Sequence, residues 1–314
     1  MKAIVTGAAG FIGSNLCQKL LADGVSVTGI DSFTDYYPRW IKERNILPLH
    51  AYDEFDFLDK DLDDLDPASV LEGADCVFHF AAQAGVRASW GRNFDAYLKN
   101  NIKVTQKLLE ASKGLPLKKF VFASSSSVYG LTPTLPMSET SPVHPLSPYG
   151  VSKLAAEQLC FLYYKNFGVP AVSLRLFTVY GPSQRPDMAF HKFFKALTED
   201  REIVVFGDGQ QTRDFTFVAD IVQASLAALA SGKPGETYNI GGGHRKKLED
   251  VIRLMERICH MKVRIRRAEK EKGDVPDTWA DIQKARRDMG YSPNTRLDDG
   301  LEQEWRWIQQ LYSS

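Results

Sequence analysis

Lys2-Ala3-Ile4-Val5-Thr6-Gly7-Ala8-Ala9-Gly10-Phe11-Ile12-Gly13 opens the chain with a short branched apolar run, a turn with glycine at every third place, and the start of a helically spaced stretch reaching residue 22. A strand that passes through glycines directly into a helix is the context a nucleotide-phosphate turn requires. Backbone without side chains lets a pyrophosphate approach the helix N-terminus, where unpaired N–H groups and the helix dipole favour negative charge. Asp31 follows Gly13 by 18 residues and closes the next apolar run, a suitable distance for a carboxylate that bonds ribose hydroxyls. The same carboxylate repels a 2′-phosphate, so NAD is the expected cofactor rather than NADP.

The alternation continues outward from this turn. Apolar, branched runs at 2–6, 26–30, 76–81, 119–123 and 171–177 read as strands, and helical spacing without internal proline covers 11–22, 94–112 and 149–166. The expected class is therefore α/β, a Rossmann-type doubly wound parallel sheet, with a smaller C-terminal α/β substrate lobe. The first lobe is assigned residues 1–180, with return segments near 207–240, and the second 181–314, the two being interleaved. Past Gly181 the elements shorten, with strand-like runs at 203–206 and 214–218 and a closing helix near 298–311. The proline-rich stretch 131–148 is read as an ordered loop, because it ends on the helix that carries the chemistry.

Composition narrows the function classes. The 314 residues carry 39 lysines plus arginines and 39 aspartates plus glutamates, a formal net charge of zero that offers no global attraction to nucleic acid or anionic lipid. No apolar run is long enough for a membrane span. A signal peptide is a poor reading of the first residues, since the 6–10 turn interrupts the apolar run at once. Cys17, Cys76, Cys160 and Cys259 are widely spaced and read as reduced packing residues, so a cytoplasmic setting and no bound metal are expected. The acidic stretch 53–66 could suggest a calcium loop from Asp59, Asp61 and Asp63, but Asp64 and Val70 stand where its glycine and glutamate belong. A solvated turn is the better reading. Arg264, Arg266 and Arg267 alternate along a presumed strand and read as a solvated face or as partners of that acidic turn.

Tyr149-Gly150-Val151-Ser152-Lys153 sets a phenol and an ammonium four residues apart, on one helix face. Ser124-Ser125-Ser126-Ser127 follows the 119–123 strand, and ligands of open parallel sheets sit beyond the strands' carboxyl ends. A hydroxyl, a phenol and a lysine can thus converge beside a dinucleotide. A tyrosine ordinarily titrates near pH ~10, but an adjacent cation stabilises phenolate and makes Tyr149 an acid or base candidate.

With these pieces in order, the sequence resembles the extended short-chain dehydrogenase/reductases, specifically their nucleotide-sugar epimerases. The match runs through the 6–13 turn, His79-Phe80-Ala81-Ala82-Gln83, 124–130, 147–153 and Gln211-Thr212-Arg213-Asp214-Phe215. The resemblance implies Ser125, Tyr149 and Lys153 as catalytic residues. It implies cofactor contacts from Gly7, Gly10, Phe11, Ile12, Gly13, Asp31, Asp61, Leu62, Ala81, Ala82 and Asn101 as well as Tyr149 and Lys153. Substrate contacts are implied for Arg87, Ser126, Thr178, Arg185, Ala189, Phe206, Arg213 and Asp274, Arg213 on the pyrophosphate and Asp274 on the nucleotide. It also implies a UDP-sugar substrate and a homodimer built through the 94–112 and 149–166 helices.

Relatives that dehydrate or decarboxylate carry an acidic residue where this chain has Ser127. The segment 177–189, containing Gln184-Arg185-Pro186-Asp187, is similar to that of UDP-glucuronate 4-epimerases, and an arginine fork suits a carboxylate. Two readings of Arg185 stay open: a clamp on a uronate carboxylate, or a salt bridge to Asp187 at the surface. Epimerisation of a neutral hexose such as UDP-glucose or UDP-GlcNAc, and decarboxylation, stand behind 4-epimerisation of UDP-glucuronate. Glu271 occupies a place where many relatives carry a pyrophosphate-binding arginine, with Lys270 or Lys272 as possible substitutes.

Overall fold

In the computed structural model, which describes residues 1–132, 134–243, 245–269 and 273–313, seven parallel strands form the central sheet. They are β1 (Lys2–Thr6), β2 (Ser26–Asp31), β3 (Phe55–Asp59), β4 (Cys76–His79), β5 (Lys119–Ser125), β6 (Ala171–Leu176) and β7 (Thr237–Ile240). Their order is β7-β6-β5-β4-β1-β2-β3, so the chain reverses direction across the sheet at β1, between β2 and β4. A crevice opens beyond the strand ends at such a reversal. Register places Thr6 beside both Ile30 and His79, and Ser125 beside Leu176, so the carboxyl ends of β1, β2, β4 and β5 share one edge.

The two-residue side-chain period of these strands divides their apolar residues between two cores. Ala3, Val5, Phe78, Val121 and Val172 face one side, packing with α1 (Phe11–Ala22) and the helix Val218–Ser231. Ile4, Val77, Phe120 and Phe122 face the other, against α2 (Val104–Ala111) and α3 (Pro148–Phe167). Each fully buried side chain of this kind contributes roughly 1.5–3 kcal/mol. Burial on both faces explains why these strands read as continuous apolar runs.

Several expectations need correction. Strand β3 lies inside the acidic stretch read as a turn; at the sheet edge only Phe55 is buried, and its acidic neighbours stay in water. Charged residues on an edge strand discourage pairing with another chain, and they mask the strand in the sequence. The helix expected over 94–112 is three segments: Phe94–Tyr97, a wide π-type stretch Leu98–Lys103, and α2. The run 214–218 is two short strands, Thr212–Asp214 and Thr216–Phe217, with Val218 beginning a helix. The basic strand Ile265–Ala268 does not meet the acidic turn; it pairs with Ile203–Phe206, and Arg264 and Arg266 bind Asp200 and Glu202. Asp61 and Asp63 are held by Lys99, Lys103 and Lys107.

The proline-rich loop is pinned by Met137, whose N–H donates to the Trp279 carbonyl at 2.7 Å and whose carbonyl accepts from the Asp281 N–H at 2.8 Å. Glu271 and its two neighbouring lysines fall outside the described residues. Among the described residues, no helix is long and apolar enough to cross a membrane, and no cluster of three or more metal-ligating side chains occurs.

Candidate active site

Beyond the strand ends lies one deep cleft of about 830 Å³, running from the glycine turn past Ser125 to the segments around Arg185 and Arg213. Its floor is set by close approach. Gly7 adopts φ +72°, and a Cβ there would stand 2.8 Å from the Ala81 nitrogen; a Cβ on Gly13 would meet the Gly7 carbonyl oxygen at 2.1 Å. These two glycines join strand to helix at contact distance. Gly10 is the N-cap of α1, makes no side-chain cap, and its Cβ would meet only the Gly7 oxygen at 3.1 Å. The first N–H groups of α1 therefore face the cleft without a side-chain acceptor or an acidic residue in the first turn.

Asp31 ends β2 with its carboxylate fixed by the Ala9 N–H at 3.2 Å and the Phe33 N–H at 2.9 Å, and Lys42 lies 4.0 Å away. Burial raises its pKa, while Lys42 and the two N–H groups oppose the rise. A glycine cradle, an uncapped helix start and a ribose-height carboxylate fit a dinucleotide.

The catalytic helix owes its start to Ser147, whose Oγ accepts the Gly150 N–H at 3.1 Å, with Pro148 in the first turn and Gly168 in the left-handed conformation at its end. Tyr149 and Lys153 project from it into the cleft, facing Ser125 at the end of β5. The Tyr149 phenol shares this stretch of the cleft with the Ser125 hydroxyl. Burial raises the phenol's pKa, the Ser125 hydroxyl and the Arg185 charge lower it, and Asp187 raises it. Lys153 is buried and donates to the Ala123 carbonyl at 2.8 Å, and burial brings its pKa down to about 7. The sequence suggested Lys153 as the cation acting on the phenol. Arg185 is a further cation that lowers the phenol's pKa.

At the far end, Arg87 and Asp274 form a 2.8 Å salt bridge, with the Arg87 guanidinium 4.1 Å from the centre of the Phe206 ring. Arg213 lines the same end and donates to the Thr212 and Pro276 carbonyls. Ser126, Thr178, Arg185 and Ala189 line the cleft between this end and Tyr149. Arg185 does pair with Asp187, through Nε at 2.9 Å and Nη2 at 3.1 Å, but on the cleft wall and not at an outer surface.

Phe11, Ile12, Asp61, Leu62, Ala81 and Ala82 also line the cleft. Asn101 does not. It is buried behind the wall, exchanging bonds with the Gln83 backbone and donating to Ser152 Oγ at 2.8 Å, while Asn100 lines the cleft. The wide π-type turn that contains both residues sets this division, and such turns recur at functional sites. Tyr36, Tyr37 and Lys42 are wall residues that sequence reasoning missed. Tyr36 and Tyr37 lie between β2 and the helix Arg39–Ile46, and Lys42 lies within that helix, none of them in a motif; Tyr36 reaches Asp187, 151 positions away.

The Ala81 turn is held from behind. The Ala81 N–H donates to Thr6 Oγ1, and the buried His79 ring lies between Thr6 Oγ1 at 2.7 Å and Thr105 Oγ1 at 2.9 Å. Burial and nearby Lys153 lower the His79 pKa to about 3.

Comparison with known proteins agrees with this geometry. The model of the NAD dependent epimerase/dehydratase family matches residues 3–241. The crystal structure of UDP-glucuronic acid 4-epimerase from Bacillus cereus, in complex with UDP-glucuronic acid and NAD, is 47% identical with a TM-score of 0.97, covering 99% of this chain and 100% of that one. An uncharacterized UDP-glucose epimerase of Bacillus subtilis is 48% identical over 99% of both chains. A UDP-glucuronate 4-epimerase of Thermodesulfobacterium geofontis is 38% identical, over 97% of this chain and 95% of that one.

Proposed function

The chain belongs to the NAD dependent epimerase/dehydratase family, and from that premise we propose that it is an NAD-using 4-epimerase interconverting UDP-glucuronate and UDP-galacturonate. The observation that carries the uronate reading is the Arg185 guanidinium on the wall of the cleft that holds Ser125, Tyr149 and Lys153.

The glycine turn and Asp31 would hold NAD, which would supply the acceptor and donor of the hydride at the sugar carbon. The chain's own residues do the rest. Tyr149 takes the proton of the sugar 4-hydroxyl, with the Ser125 hydroxyl in the same cleft able to hydrogen-bond that oxygen. Lys153, braced on the Ala123 carbonyl, and Asp31 would each hold a ribose of the dinucleotide. Arg213 binds the substrate diphosphate and Asp274 the nucleotide, both in the lobe assigned to residues 181–314, and Arg87 reaches the same end of the cleft from the first lobe as a cation near the sugar. The 4-keto sugar turns over within the cleft, and Tyr149 returns the proton after reduction on the opposite face. Arg185 binds the carboxylate throughout. This matters because a 4-keto uronate loses carbon dioxide when its carboxylate bond lines up with the carbonyl π system.

Val151 and Leu162 on α3 and Leu98 on the π-type stretch are exposed apolar side chains, which supports a homodimer through these helices. Four free cysteines support a cytoplasmic setting. The resemblance to the Bacillus subtilis protein favours the second reading, a neutral-hexose epimerase. Incubating the protein with UDP-glucuronate and, separately, UDP-glucose distinguishes them: UDP-galacturonate without released carbon dioxide is expected, and turnover of UDP-glucose alone would overturn the uronate reading.

A further inference from the structure

We propose that Asp187, fixed by Tyr36, is a positioning residue that aims the Arg185 fork, and so decides whether a keto uronate is reduced intact or loses its carboxylate. The inference rests on the uronate reading above and adds to the Arg185–Asp187 pair a residue, Tyr36, that no motif announced.

A guanidinium is planar and carries five N–H donors in a fixed fork. Asp187 occupies its Nε and Nη2 along one side, at 2.9 and 3.1 Å. The Nη1 end is left pointing elsewhere, and this end can meet a second carboxylate. The aim of the fork then depends on whether the Asp187 carboxylate can turn. It is restrained by the Tyr36 hydroxyl, which donates to Oδ2 at 3.2 Å, the same oxygen that accepts from Nη2.

Tyr36 is itself placed by a gap in the opposite wall. Gly85 holds φ +101°, and a Cβ there would stand 2.2 Å from the Tyr36 hydroxyl oxygen. The Tyr97 hydroxyl, donating to the Ala84 and Gly85 carbonyls, fixes that stretch, and the Tyr97 ring meets Tyr149 edge-on at 6.2 Å. A single run of contacts therefore links the loop after β2, the Arg185–Asp187 pair and the ring of the catalytic tyrosine. Asp187 cancels the Arg185 charge before substrate arrives, so the pair is built for direction and not for strength of attraction.

Misdirection has a defined chemical result. When the bond between the ring and the carboxylate lies along the carbonyl π system, its electron pair moves into the ring. Carbon dioxide leaves, an enolate remains, and protonation gives a UDP-4-keto-pentose. Fixing the carboxylate away from that alignment blocks the electron shift.

The test uses the full-length holoenzyme and UDP-glucuronate labelled at the carboxyl carbon, with released carbon dioxide, five-carbon sugar nucleotides, KM and bound NAD measured together. Asp187→Asn is expected to raise the share of turnovers ending in carbon loss by about tenfold, since small misplacement at a reacting centre has effects of this size or larger. Its KM should fall a few-fold, because the Arg185 charge is no longer cancelled. Tyr36→Phe should move the partition the same way by a few-fold, and the double variant should not exceed Asp187→Asn. An unchanged partition in both single variants overturns the proposal, as does a raised KM with unchanged partition, which marks a purely structural role. A wild-type protein that leaves UDP-glucuronate untouched removes the uronate reading itself, and the inference with it.

Discussion

The two ends of the cleft are made of different material. Around Gly7, Gly10 and Gly13 the site is backbone, held at contact distances that leave no room for a Cβ at two of the three positions. Around Arg185, Arg213 and Arg87 it is charged side chains, two of them already paired, with Asp187 and Asp274. A backbone cradle fits one kind of ligand and fails outright when altered. A set of paired charges can be re-aimed one residue at a time. The cofactor half is accordingly the fixed part of such a fold and the sugar half the adjustable part.

This contrast can be broken where the two halves meet. Tyr149→Phe removes the proton-transfer group while leaving both binding regions intact; epimerisation should fall by about 10³-fold, within the usual range for a general base, with NAD content unchanged. Epimerase activity at wild-type level in a holoenzyme assay would refute the assignment. Gly13→Ala tests the cradle: with the Gly7 oxygen 2.1 Å from the new Cβ, overpacking should cost about 1–3 kcal/mol and strip the bound NAD, read from thermal unfolding and released cofactor. Gly10→Ala, with its nearest contact at 3.1 Å, should be the milder change in the same assay.

The adjustable half should respond in graded ways. Tyr149 must reach phenolate to act, so the rate rises with pH through its pKa. Arg185 lowers that pKa and Asp187 raises it, both against the larger effect of burial. Removing the positive charge in Arg185→Ala should therefore shift the rising limb of the pH–rate profile to higher pH, and removing the negative charge in Asp187→Asn should shift it lower. Limbs that coincide would show the pair to be electrically remote from the phenol. The smallest effect is expected at Asp274→Ala: a partly exposed ion pair is worth at most about 1 kcal/mol, so stability should barely move while KM for the UDP-sugar changes.

The same contrast explains what could be read before any coordinates existed. The cradle and the Tyr149–Lys153 pair are legible because backbone geometry and helix period impose local spacing on them. Asp31 is legible because it sits at a fixed count from the turn. Tyr36 and Asp187 meet across 151 positions of sequence, and no spacing rule reaches that far. Asn101 is set behind the wall for a local reason: in the π-type stretch Leu98–Lys103 it bonds the Gln83 backbone, and its neighbour Asn100 takes the cleft-facing place, a division that sequence spacing does not reveal. Strand β3 was hidden by the acidic side chains around it: the short alternation Phe55-Asp56-Phe57 sits inside a run of aspartates and glutamates that an edge strand leaves in water.

The contacts behind the Ala81 turn admit a single ordering of their protons. Thr105 gives its hydroxyl hydrogen to the Asn101 carbonyl, so its oxygen can only receive, and the facing His79 Nε2 must carry the hydrogen. Nδ1 is then left as a lone pair for the Thr6 hydroxyl, whose oxygen in turn receives from Ala81. From the sheet edge to the wide helical turn, the relay runs one way. A second proton on the imidazole would set two donors head to head, so the cleft wall at Ala81 keeps its shape only while that histidine stays neutral.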